Sequence, residues 1–216
     1  MKLVQFYLPE SGCRIGILDG DEVSDITTPE FCSTMDLIER AASEGATVEE
    51  IASELEAQGK YSYKSLDIHP DNSKPHLLIP IDPPEVWGCG VTYKRSAEMR
   101  DEDTTSARGI YDHVYFAERP EIFFKATAAR CVGPNGYICI RSDSTLTAAE
   151  PEMAYVIGKD QSIIGFTVCN DVSAWDIERE NPLYLPQSKI FFGCCALGPV
   201  LVTKSGIGDP YNLKIT

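Results

Sequence analysis

From His76 onward the chain is a succession of short apolar runs, at 77–80, 86–93, 122–124, 137–140, 153–157, 163–168 and 199–202, separated by glycines, prolines and polar turns. Runs of this length suit strands, and many short strands need a second layer or closure on themselves to bury their apolar faces. The pattern predicts a β-rich domain of sandwich or barrel type, with helices expected only over 93–99, 110–118 and 173–180. Residues 1–75 read differently. Lys2–Leu8 and Cys13–Leu18 suit a hairpin around Pro9-Glu10-Ser11-Gly12, and two amphipathic helices are expected over 35–43 and 48–58. The second helix carries a capping box, Thr47 with Glu50, and Gly59 as its stop. Tyr61 to Pro75 is polar and holds Pro70 and Pro75, which reads as a linker. The expected fold is thus α+β and β-rich, with a small N-terminal α+β domain over 1–75 and a β-rich sandwich or barrel domain over 76–216. Residues 210–216 read as the opening of a further strand with nothing to close it, so the second domain reads as C-terminally incomplete.

Composition removes several function classes. A net charge of −14, with 19 basic residues scattered among 33 acidic ones, offers no basic stripe for nucleic acid. No stretch approaches the ~20 apolar residues that span a bilayer, and the apolar start at Met1–Tyr7 is too short for a signal peptide. The eight cysteines form no C-x-x-C pair and have no histidines at zinc spacing, and most sit in apolar company that suits buried free thiols. A reduced, cytoplasmic chain is the simplest expectation.

The segment Ala149-Glu150-Pro151-Glu152-Met153 carries the most chemical information. On a strand, Glu150 and Glu152 point to the same face. Two close carboxylates repel unless a cation lies between them, although E-x-E also describes the wet face of a half-buried strand. Asp171 follows the run 163–168, and a tight pairing of 150–157 with 163–170 through Gly158-Lys159-Asp160 brings it toward the glutamates. Three carboxylates without histidine form an oxygen-only site suited to Mg²⁺ or Mn²⁺. Asp171 equally fits a helix N-terminus ahead of 173–180. Lys125 and Lys189 each border an aromatic run, where a lysine either snorkels to the surface or is held to bind an anion. His69, His76 and His113 read as surface or packing residues, and Ser188 lacks a G-x-S-x-G setting.

Taken together, Val86-Trp87-Gly88-Cys89-Gly90-Val91-Thr92-Tyr93, Phe124-Lys125-Ala126-Thr127, Glu150-Pro151-Glu152, Asn170-Asp171-Val172-Ser173-Ala174, Ser188-Lys189 and Leu197-Gly198-Pro199 resemble the catalytic domain of the fumarylacetoacetate hydrolase family, in the family's order. Arg119–Lys125 and Asn181–Lys189 resemble in particular its sugar-acid branch, the 2-keto-3-deoxy-pentonate dehydratases. The resemblance implies a mixed β-roll, a Mg²⁺ held by Glu150, Glu152 and Asp171, and Lys189, Lys125 and Glu121 near a small 2-keto acid substrate. It also implies a homodimer or larger homo-oligomer. Hydrolases of the family carry a histidine three residues after the tyrosine of N-Y-x-x-H, and here that place holds Ser96. Family members also continue through further strands and a glycine-rich loop.

The expected activity is dehydration of a 2-keto-3-deoxy sugar acid to a 2,5-dioxo acid, with Glu121 or Lys189 as base. A base lysine needs a pKa lowered by burial. Acylpyruvate hydrolysis and oxaloacetate decarboxylation use the same platform, and a non-catalytic metal- or ligand-binding protein is the alternative from another class.

Overall fold

The computed structural model describes residues 1–90 and 110–214, with the side chains of 110–112 left aside. The strands, in chain order, are β1 (Lys2–Leu8), β2 (Gly12–Asp19), β3 (Glu22–Asp25), β4 (Gly59–Ser62), β5 (His76–Leu77), β6 (Val86–Cys89), β7 (Ile122–Ala126), β8 (Cys131–Val132), β9 (Thr147–Ala148), β10 (Pro151–Ile157), β11 (Ile163–Asp171), β12 (Ser173–Ala174) and β13 (Cys195–Thr203). The helices are α1 (Thr34–Glu44), α2 (Val48–Ser53), α3 (Tyr63–Leu66), α4 (Ile110–Tyr115), α5 (Trp175–Glu180) and α6 (Leu185–Lys189).

A nine-stranded sheet runs β10-β11-β13-β1-β2-β3-β4, with β5 added to β1 and β8 to β13. β1 lies antiparallel to β13, with Leu3 opposite Leu201, so the first strand of the chain backs directly onto a strand from its far end. Among the described residues this sheet is open, and the β-rich reading takes the form of a roll rather than a closed barrel.

Strand alternation sorts the core. Leu3, Ile15 and Leu201 face α1 and α2, meeting Leu37, Ile38, Ile51 and Ala52. Val4, Phe6 and Val23 face the other way onto Leu66 and Leu77. Helix α1 begins with a capping box, Ser33 with Asp36, and ends at Gly45 in the left-handed conformation, φ 66°. The Thr47–Glu50 box opens α2 as expected, but the helix stops at Ser53 rather than Gln58. The sheet claims the remainder: Gln58 N donates to Asp25 O at 2.7 Å, and Gly59–Ser62 pairs with β3. Pairing therefore reaches into the stretch expected as a linker, where Leu66 is also fully buried.

Three other expectations change. Tyr137–Ile140 is not a strand, and Tyr137 and Ile140 are exposed. The 210–216 run opens as a short 3₁₀ turn, because Pro210 starts it and the Asp209 side chain accepts from Tyr211 N. Asp171 ends a strand and does not begin a helix. The expected helix over 93–99 and the Thr92–Ser96 departure lie outside the described residues.

Gln5 is fully buried on the helix-facing side of β1. Its Oε1 accepts from Thr34 N at 2.7 Å, and its Nε2 donates to Ile79 O at 2.8 Å and Asp82 Oδ2 at 3.0 Å. One amide thus ties the start of α1 and the chain entering β6 to the central sheet. Gln5→Leu keeps the volume and strands these groups, so it is expected to cost about 1–3 kcal/mol. Urea unfolding checks this as a lower midpoint at unchanged slope.

Candidate metal centre and active site

The site forms where the β10–β11 ladder ends. Glu152 lies opposite Cys169 and Pro151 opposite Asn170, through a turn closed by Gly158 N to Ser162 O at 2.9 Å. One step further, Asp171 N donates to Glu150 O at 2.9 Å and Glu150 N donates to Asn170 Oδ1 at 3.0 Å. This register gathers the three expected carboxylates. Each of Glu150, Glu152 and Asp171 offers an oxygen, and these oxygens lie within 4.8 Å of one another. Glu150 and Asp171 are buried and Glu152 is half-buried, so the wet-face alternative does not hold.

The lysines do not snorkel. Lys125 is 1% exposed and Lys189 4%. Lys125, the penultimate residue of β7, places Nζ 2.5 Å from Asp171 Oδ1. It also donates to Val172 O at 2.9 Å and to Lys189 O at 2.6 Å. Lys189, the last residue of α6, donates to Glu150 Oε2 at 2.7 Å, Asp171 Oδ2 at 2.9 Å and Ser173 Oγ at 2.6 Å. Asp171 therefore carries a lysine on each oxygen. The aromatic runs supply apolar walls, with Lys125 Nζ 5.8 Å from the Phe191 ring centroid and Lys189 Nζ 5.6 Å from that of Phe123.

Burial pushes the Lys189 pKa down, but Asp171, Glu150 and Glu178 outweigh it and the net shift is upward. The lowered pKa expected of a lysine base is thus not a property of the protein groups alone. Glu152 is pushed up to about 7, first by burial and then by Asp171 and Glu150, with the two lysines offsetting part of the effect. Among the described residues no ion pair reaches Glu152, and when it is ionised the trio has one negative charge more than the two lysines neutralise. An all-oxygen donor set with surplus negative charge fits a hard divalent cation.

Glu121, expected beside the lysines, precedes β7 and is exposed, its side chain packed against Gly90. Nothing among the described contacts joins it to the carboxylate trio. Conversely, sequence reasoning missed Trp175, whose Nε1 donates to Glu150 Oε1 at 2.6 Å, and Ser173, which holds Lys189. It missed Glu178 too, a 4% exposed carboxylate that accepts from Ser188 Oγ at 3.4 Å. Their only signal was proximity to the Asn170–Ala174 and Ser188-Lys189 motifs. Asp176 anchors the approach to Glu150 by accepting from Ser144 Oγ and Thr145 N. Burial raises its pKa, but these bonds outweigh it and bring it to about 2.

The family model for the fumarylacetoacetate (FAA) hydrolase C-terminal region matches residues 85–216. The chain belongs to the fumarylacetoacetate hydrolase family. It is 55% identical over 143 residues to 2-dehydro-3-deoxy-D-arabinonate dehydratase of Saccharolobus solfataricus, covering 65% of this chain and 48% of that one. It is 45% identical over 141 residues to a probable 2-keto-3-deoxyxylonate dehydratase of Haloferax volcanii, with the same coverage. This member of the family spans about half the length of those two curated relatives. Its fold matches a 2-keto-3-deoxy-D-arabinonate dehydratase complexed with magnesium and 2,5-dioxopentanoate, at a TM-score of 0.76 and 39% identity over 98% of this chain and 69% of that one. No helix among the described residues is long and apolar enough to cross a membrane.

Removing one partner of a buried ion pair leaves the other charge without compensation. Lys125→Met is expected to destabilise the fold by about 3–5 kcal/mol, checked by denaturant unfolding against the parent.

Proposed function

We propose that this family member is the metal-binding part of a hydro-lyase that dehydrates a 2-keto-3-deoxy sugar acid, of the pentonate class, to a 2,5-dioxo acid. The observation that carries the reading is the convergence of Glu150, Glu152 and Asp171 oxygens within 4.8 Å beside two buried lysines. Sequence identity of 55% and 45% to two dehydratases of such acids supports the choice of substrate class. In this reading the chemistry belongs to residues 76–216, and residues 1–75 form a unit whose β1 supports β13.

Glu150, Glu152 and Asp171 would hold Mg²⁺, with Mn²⁺ as the substitute. The ion supplies Lewis acidity toward the carboxylate and keto oxygens of a 2-keto acid. The chain's own residues do the rest. Lys125 and Trp175 hold Asp171 and Glu150 in place, so that the acids keep one geometry as charge changes in the site. Lys189 places a positive charge beside the acids, where negative charge develops when a C3 proton leaves. Lys189, charged and donating to three oxygens, does not take that proton, which leaves Glu121 of the two expected bases, and the C4 hydroxyl departs with a proton as water. Phe123 and Phe191 limit water around the lysine amines.

Thermal unfolding with and without Mg²⁺ tests the metal site. An ion that binds only the folded state at 100 times its dissociation constant adds about 2.7 kcal/mol. The parent is expected to melt at a higher temperature with Mg²⁺, and Glu152→Gln to lose most of that rise. An equal rise in both proteins sinks the assignment. With 2-keto-3-deoxy-arabinonate and -xylonate, Mg²⁺-dependent formation of the dioxo acid is expected for the parent and at least tenfold less for Glu152→Gln.

A further inference from the structure

Three of the eight cysteines lie on neighbouring strands beside the carboxylates, Cys169 opposite Glu152 and Cys195 opposite Asp171, and nothing in the proposed chemistry uses them. Cys195 begins β13 and is fully buried. Its sulfur lies 3.8 Å from that of Cys169 on β11. Cys131 of β8 is its register partner on the neighbouring strand. Ala126, Leu197, Ile79 and Phe191 surround the group.

The three sulfurs do not form a metal site. Among the described residues, only Glu150, Glu152 and Asp171 converge tightly enough to hold an ion. Strand register separates the two pairs that Cys195 can form. Cys131 and Cys195 are direct partners across the parallel β8–β13 ladder, so their side chains leave the same face. Neighbouring strands lie about 4.7–4.9 Å apart, inside the ~4.4–6.8 Å Cα range of a disulfide. Cys169 is opposite Leu197, which makes it a diagonal neighbour of Cys195. Diagonal neighbours lie at about 7–8 Å, and a bond there requires the backbone to move. Access makes the same distinction. Cys169 is 7% exposed and Cys195 fully buried, while Cys131 is only half-buried.

We infer that Cys131 and Cys195 form an oxidisable dithiol: a hydroperoxide entering from solvent meets Cys131, and Cys195 resolves the product as a disulfide. In the first step the Cys131 thiol, held protonated by its neighbour Cys195 and by burial, gives up its proton as its sulfur attacks one peroxide oxygen, the O–O bond breaks, and Cys131 becomes a sulfenic acid as water leaves. In the second the Cys195 sulfur attacks the Cys131 sulfur, the S–O bond breaks, and water departs with the thiol proton. Overall, two thiols and one hydrogen peroxide give one disulfide and two waters. Cys169 remains a thiol throughout. The bond would cross-link β8 to the end of β13 that faces Asp171, since Cys195 is the register partner of Asp171.

Hydrogen peroxide treatment of the purified chain, followed by alkylation in denaturant and peptide mapping without reductant, tests this. The expected result is a cross-link between the peptides carrying Cys131 and Cys195, a loss of two titratable thiols from the eight, and recovery of both with dithiothreitol. Fragment ions assign the bond, because the same peptides carry Cys139 and Cys194. Cys195→Ala is expected to stop at a sulfenic acid on Cys131 that dimedone traps, and Cys131→Ser, at a half-buried position, to lose the cross-link if the first variant does not fold. Oxidation confined to the exposed Cys32 and Cys89, a Cys169–Cys195 bond, or over-oxidation of Cys131 without a cross-link in the parent overturns the inference. None of these readouts uses Mg²⁺ or turnover, so the inference and the proposed function fail independently.

Discussion

Asp171 is held between two buried lysines, and much of the site's geometry follows from that sharing. One oxygen meets Lys125 and the other Lys189, and the carbonyl of Lys189 in turn accepts from Lys125. Taking such charges out of water is costly, and only mutual pairing with further hydrogen bonds offsets it. The structure meets that demand by drawing on several elements at once. β7 contributes Lys125, α6 Lys189, β11 Asp171, and the chain entering β10 contributes Glu150. Displacing any one of these leaves a buried charge without its partner.

The scaffold that permits this is the sheet. β11 lies between β10 and β13, and β13 lies between β11 and β1. Gly165 allows the close approach of β11 to β13, since a Cβ there would sit 2.5 Å from Val202 O. The amino-terminal region is therefore part of the support beneath the carboxylates. Its two helices cover the sheet face formed by Leu3, Ile15 and Leu201, with Val156 and Ile164 of the site-bearing hairpin packed against the same cluster.

Much of the site was legible in the sequence. The two-residue spacing of Glu150 and Glu152, and the turn signals between 157 and 163, were enough to infer a hairpin that brings Asp171 to them. Local patterns also located most strands and the Thr47–Glu50 cap. Errors came where long-range pairing overrode local preference. α2 has good helix formers to Gln58, yet β3 takes the chain from Gln58 onward. The run at Tyr137–Ile140 is apolar but finds no strand partner, and Pro210 with Asp209 makes a turn where a strand was expected.

By itself the sequence determined the family and the three acids, because both rest on residue identities at short, readable spacings. Only the tertiary structure decided the state of the lysines. A lysine beside an aromatic run snorkels or is buried according to what lies across from it, and what lies across Lys125 is Asp171, far away in the chain. The same holds for Trp175 on Glu150 and for the two cysteines that neighbour Cys195. It also holds for Glu121, which the resemblance put with the lysines and the fold leaves exposed. Contacts between distant segments depend on sheet register and packing, and no local pattern encodes either.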